Sequence, residues 1–67
     1  MTPKKIESII MADGWCLAGT QGSHKHYKHP EKLGKVTIPF HPKPKDLKPK
    51  TLYNIFKQAQ LDKKLFL

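Results

Sequence analysis

Apolar residues change their spacing twice along this chain, and no single type of secondary structure accommodates both patterns. Near the start, Ile6, Ile9 and Ile10 recur at i, i+3 and i+4, with Asp13 at i+7. That spacing lines one face of a helix with 3.6 residues per turn. Thr2-Pro3 just ahead supplies a capping hydroxyl and a proline suited to the first turn, and Gly14 just behind is a natural stop. The pattern predicts a helix over 3–13. From residue 15 the period is two: Trp15 and Leu17 alternate with Cys16 and Ala18, and Val36 and Ile38 share one face of 35–39. Between them, Tyr27 is the strongly apolar member of His24-Lys25-His26-Tyr27-Lys28-His29. Residues 19–23 and 30–34 read as turns, so three short strands form an antiparallel meander. The helical period then returns with Leu52, Ile55, Phe56 and Ala59, predicting a second helix over about 49–60.

Between the last strand and the second helix, residues 40–49 hold Pro42, Pro44 and Pro49 together with Lys43, Lys45 and Lys48. Prolines at that density forbid a helix and a central strand, leaving an extended basic loop. Residues 61–67 carry Leu61, Leu65, Phe66 and Leu67, either a short docked tail or apolar surface for a partner. Sixty-seven residues make one domain, 1–67, with a small core. The expected fold is α+β, in the order α-β-β-β-α. One apolar sheet face and two apolar helix stripes are satisfied together when both helices cover the same face of a three-stranded antiparallel sheet. That layout resembles a double-stranded-RNA-binding domain, with the other sheet face open.

Charge narrows the partners. Thirteen lysines, no arginine and five acidic residues give a net charge of +8 with histidine neutral. So basic a domain points to polyanions, nucleic acid first and an acidic membrane surface second. The longest apolar run, Ile9-Ile10-Met11-Ala12, is far short of the roughly 20 residues that cross a bilayer, so no membrane span is expected. A lone cysteine, Cys16, makes no internal disulfide, which suits a cytoplasmic setting. The five acids are scattered without the spacing of a Mg²⁺ site, and the zinc-site spacings are absent, so neither a metal nor another cofactor is expected.

If Tyr27 points into the core, alternation sends His24, His26 and Lys28 to the open face, beside lysines that are dense from Lys25 to Lys50. Lysines gather phosphate without reading bases, so binding is salt-sensitive and weakly selective. An imidazole near its unperturbed pKa can take the proton of a ribose 2′-hydroxyl, and the oxyanion then attacks the adjacent phosphate without a metal. Neighbouring lysines stabilise the developing charge. Composition leaves a metal-free ribonuclease and a non-catalytic RNA-binding module level, with a membrane-surface peptide as a third class.

Gly14-Trp15, Gly22-Ser23-His24, Tyr27-Lys28-His29-Pro30, Val36-Thr37-Ile38-Pro39-Phe40-His41 and Thr51-Leu52 with Ile55-Phe56-Lys57-Gln58-Ala59 resemble, in residues and in order, the HicA toxins of bacterial toxin–antitoxin pairs. The resemblance runs over most of residues 5–61. It implies the same α-β-β-β-α fold, an endoribonuclease that cuts messenger RNA (an mRNA interferase), a HicB-like antitoxin as partner, and His24 as the essential histidine. Ser23, Lys25, Lys28, Lys35 and His41 are the candidate RNA contacts beside it. The chain departs from the family pattern at Gly19, where a basic residue is frequent, and at Lys50 and Gln60, where glycine is usual. Gln60 is the notable change, because glycine is the residue that most readily takes the left-handed conformation at a helix end.

Overall fold

A computed structural model describes residues 1–41 and 46–61. Residues 42–45 of the proline- and lysine-rich loop, and 62–67 of the apolar tail, lie outside the described residues. The order is α1 (Pro3–Ala12), β1 (Cys16–Gln21), β2 (His24–Lys28), β3 (Val36–Pro39) and α2 (Pro49–Gln58). The three strands are antiparallel in the order β1-β2-β3. Tyr27, Val36 and Ile38 from one sheet face join Ile6 and Ile10 of α1, Ile55 and Phe56 of α2, and Trp15 and Ala59 in a single buried cluster. Both helices therefore cover that face, and the opposite face is open. This is the expected double-stranded-RNA-binding-domain-like architecture.

Both helices stop in the same way, although only one has a glycine there. At the end of α1, the N–H of Gly14 donates to Met11 O (3.1 Å) and that of Trp15 to Ile10 O (3.1 Å), with Gly14 at φ +112°. At the end of α2, Gln60 donates to Lys57 O (3.2 Å) and Leu61 to Phe56 O (3.1 Å), with Gln60 at φ +55°. Each set is a Schellman motif, in which a left-handed residue lets the chain turn back and satisfy the last carbonyls. Gln60 thus holds a conformation that glycine takes more cheaply. Its own side chain compensates, donating from Nε2 to Leu33 O at 2.9 Å.

The β2–β3 loop clips these two helix ends together. His29 Nδ1 accepts from the backbone N–H groups of Glu31 (3.0 Å) and Lys32 (3.1 Å). With Nδ1 an acceptor, the ring proton sits on Nε2, which donates to Asp13 O at 2.8 Å. The Lys32 ammonium reaches Asp13 Oδ2 (2.5 Å), Ala59 O (3.3 Å) and Gln60 O (3.4 Å). A cation on the last carbonyls of α2 also complements the negative end of the helix dipole.

The strands differ from expectation at the first hairpin. Residues 19–21 are strand, not turn, and the reversal needs only Gly22 and Ser23. Gly22 at φ +60° followed by a residue without positive φ is the pattern of a type II′ hairpin, whose twist matches that of the strands. The register shifts between Leu17 and Gly19, so Ala18 is a bulge. All six residues of β1 are exposed, Leu17 among them, because the helices bear chiefly on β3 at the far edge.

Tyr27 carries a polar group into the helix-covered face. The Tyr27 hydroxyl donates to Glu7 Oε2, and burial together with that carboxylate holds the phenol far above its usual ionisation range. Lys25 Nζ lies 3.9 Å from the same Glu7 oxygen and 4.2 Å from the centre of the Phe40 ring. Because the folded-state pKa is raised, this stability is complete below the unfolded phenol's value of about 10 and is lost as pH climbs beyond it. Tyr27→Phe is expected to cost about 1.5–3 kcal/mol at neutral pH, as for a hydrogen bond to a charged acceptor. Between pH 8 and 11 the wild-type chain should lose about 1.4 kcal/mol more than the Phe variant. Urea unfolding at the two pH values measures both quantities, and parallel pH curves would refute the assignment.

Candidate active site on the open sheet face

Register and alternation place the chemistry-bearing side chains. On β2, Tyr27 is fully buried under the helices, so His24, His26 and Lys28 project from the opposite face of the central strand. Across the sheet, His24 pairs with Gln21 and Pro39, and His26 with Gly19 and Thr37. His24 stands immediately after the Gly22-Ser23 reversal and is exposed. His26 is half-buried, its Nδ1 3.0 Å from Thr37 Oγ1. A rise of about 3.3–3.4 Å per residue separates the two histidine Cα atoms by about 7 Å.

The expected lysine field is only partly on this face. Lys28 shares it with His24 and is exposed. Lys25 does not, because alternation puts it on the side of Tyr27, where Glu7 and the Phe40 ring hold it. Lys35 is exposed one residue before β3. Ser23 is half-buried, and its carbonyl accepts from Phe40 N at 2.6 Å, which ties the first hairpin to the end of β3. His41 is exposed just past that end, between a cavity of about 330 Å³ shared with Thr2, Pro3, Lys4 and Phe40 and another of about 400 Å³ shared with Asp46, Leu47 and Lys48. The structure therefore gathers His24, His26 and Lys28 on one surface, sets His41 beyond its rim, and turns Lys25 away.

The four histidines of the sequence thus divide by environment. His29 has its ring nitrogens engaged by backbone, packs edge-on against Trp15 with centroids 5.2 Å apart, and is a structural residue. Sequence spacing gave no sign of this, since Asp13 lies sixteen residues away. His26 was legible as an open-face residue, but its bond to Thr37 depends on the β2–β3 register. Among the described residues, no three His, Cys, Asp or Glu side chains converge as metal ligands do, and no helix is long and apolar enough to cross a membrane.

No curated protein matches the chain. A family model for the HicA toxin of bacterial toxin–antitoxin systems does match, over residues 3–61, which takes in both helices, the whole sheet and the open face with His24. By that match the chain belongs to the HicA toxins, which implies a cognate antitoxin as its partner.

Proposed function

We propose that this toxin is a metal-independent endoribonuclease acting on messenger RNA in the cytoplasm, with His24 as the general base. The observation that carries the reading is the position of His24: exposed, on the central strand of an uncovered sheet face, directly after a tight hairpin. A rigid central strand holds an imidazole in place better than a loop does, and an open face admits a chain as bulky as RNA. In this reading His24 takes the 2′-hydroxyl proton as O2′ attacks the neighbouring phosphorus. Lys28 on the same face, with Lys35 and His41 at its margins, meets the phosphates, and Ser23 shapes the approach through the hairpin. Lys25, held on the other side of the sheet by Glu7 and the Phe40 ring, is not among these phosphate contacts. The acidic partner that a basic open face attracts is an antitoxin of the HicB type, which inhibits by covering His24.

Incubating the purified protein with RNA in excess EDTA tests the reaction. The expected result is fragmentation, with a 2′,3′-cyclic phosphate or its 3′-phosphate product upstream and a 5′-hydroxyl downstream. Fragments ending in a 3′-hydroxyl, or full inhibition by EDTA, would exclude the mechanism. RNA binding without fragments would instead identify a non-catalytic RNA-binding module.

A further inference from the structure

We propose that His26 is the second proton-transfer group of this site, the acid that protonates the leaving 5′-oxygen; the inference rests on the ribonuclease reading above. Cleavage by O2′ attack forms the O2′–P bond while the P–O5′ bond breaks, with the two oxygens on opposite sides of phosphorus. His24 accepts the 2′-hydroxyl proton, and a second group must deliver one to O5′ if the departing alkoxide is not to carry a full charge. Two groups serving an in-line displacement have to stand several ångströms apart, one at each end of the reacting line. His24 and His26 are two residues apart on one face, about 7 Å between Cα atoms.

The neighbours of His24 leave His26 as the acid. Directly across from His24 are Gln21 and Pro39, neither of which titrates. Lys28 is a further two residues along β2, about 13–14 Å from His24 by the same rise. Lys25 lies on the other sheet face, against Glu7 and the Phe40 ring, and His41 lies past the end of β3. His26 is also held for the task. Thr37 Oγ1, 3.0 Å from Nδ1, orients the ring and leaves Nε2 as the nitrogen that meets the leaving group. The threonine hydroxyl accepts from Nδ1–H in the doubly protonated ring and continues to accept after the Nε2 proton has gone, because Nδ1 keeps its proton, so one contact serves both states. Thr37 is itself pinned, its backbone N–H donating to Gln58 Oε1 of α2 at 3.1 Å. On the other side of His26 stands Gly19, where even an added Cβ would meet nothing within 4 Å, so the ring is approachable from β1.

Leaving-group chemistry separates an acid from a binding residue. Cleavage rates are measured for the wild-type, His26→Gln, Thr37→Val and His24→Ala chains on one RNA oligonucleotide and on its counterpart with a bridging 5′-sulfur at the scissile phosphate. A thiolate leaves without protonation. His26→Gln should slow the ordinary RNA by about 10²-fold or more, and the sulfur-bridged RNA by less than about tenfold relative to the wild-type chain. Thr37→Val, a positioning change, should show the same selective loss to a smaller degree, whereas His24→Ala should slow both substrates. Equal losses on the two substrates for His26→Gln, or none on either, overturn the assignment of His26 while leaving His24 as the base. A wild-type chain that cuts neither substrate, or a His24→Ala chain that cuts both normally, overturns the ribonuclease reading and this inference with it.

Discussion

A His24→Ala chain is expected to fold as the wild type does and to cut RNA about 10²–10⁴ times more slowly, the usual cost of losing a general base. The fold should survive because His24 is exposed and contributes nothing to the buried cluster. Substitutions at such positions generally stay within about 0.5 kcal/mol in stability. A thermal melt and a cleavage time course on the same preparation read both parts, and growth arrest on expression should disappear with the activity. Continued toxicity at equal expression would remove His24 from the mechanism.

The largest structural effect is expected at Gly14. Its φ of +112° lies where side-chain-bearing residues are strained, at a cost of about 1–3 kcal/mol. The space is occupied as well: a Cβ there would sit 2.7 Å from His29 Nε2. That nitrogen cannot yield easily, because the ring is held by Asp13 O on one side and by two backbone N–H groups on the other. Gly14→Ala therefore breaks the clip between α1 and the β2–β3 loop. A loss of about 3 kcal/mol or more is a large part of the roughly 3–10 kcal/mol available to a domain of this size. It should lower Tm by more than about 12 °C. Gly19→Ala is the control, since φ there is not positive and its Cβ position is open; it should melt within a few degrees of the wild-type chain. Comparable melting of the two variants would show that the His29 contact carries no weight.

Most of the architecture was legible from local pattern. Ile6 and Ile10, then Val36 and Ile38, then Ile55 and Ala59, are all fully or almost fully buried where their periods of 3.6 and 2 predict. Tyr27 and Trp15 are core residues as expected. From Tyr27 in the core, alternation alone places His24, His26 and Lys28 on the opposite face. The ends of elements were less legible. The Gly19 region resembles a turn by composition, yet pairing with Lys25 and His26 keeps it in β1, and only Gly22-Ser23 reverses the chain. Gln60 marks the same limit: nothing local favours a left-handed glutamine, and its bond to Leu33 O supplies the reason from elsewhere in the fold.

The sequence by itself determined the order α-β-β-β-α, the two helix faces, the single core and the candidacy of His24, because each follows from contacts between near neighbours or from a motif read in order. Only the tertiary structure decided what the remaining polar groups do. Lys25 is drawn to Glu7 and Phe40 and away from the open face. Lys32 and His29 hold helix ends together, and His26 is set by Thr37. Each of these outcomes depends on a partner at least eleven residues away. A charged or polar side chain takes the partner that strand register and helix packing bring within about 3–4 Å, and that distance exists only once the chain has folded.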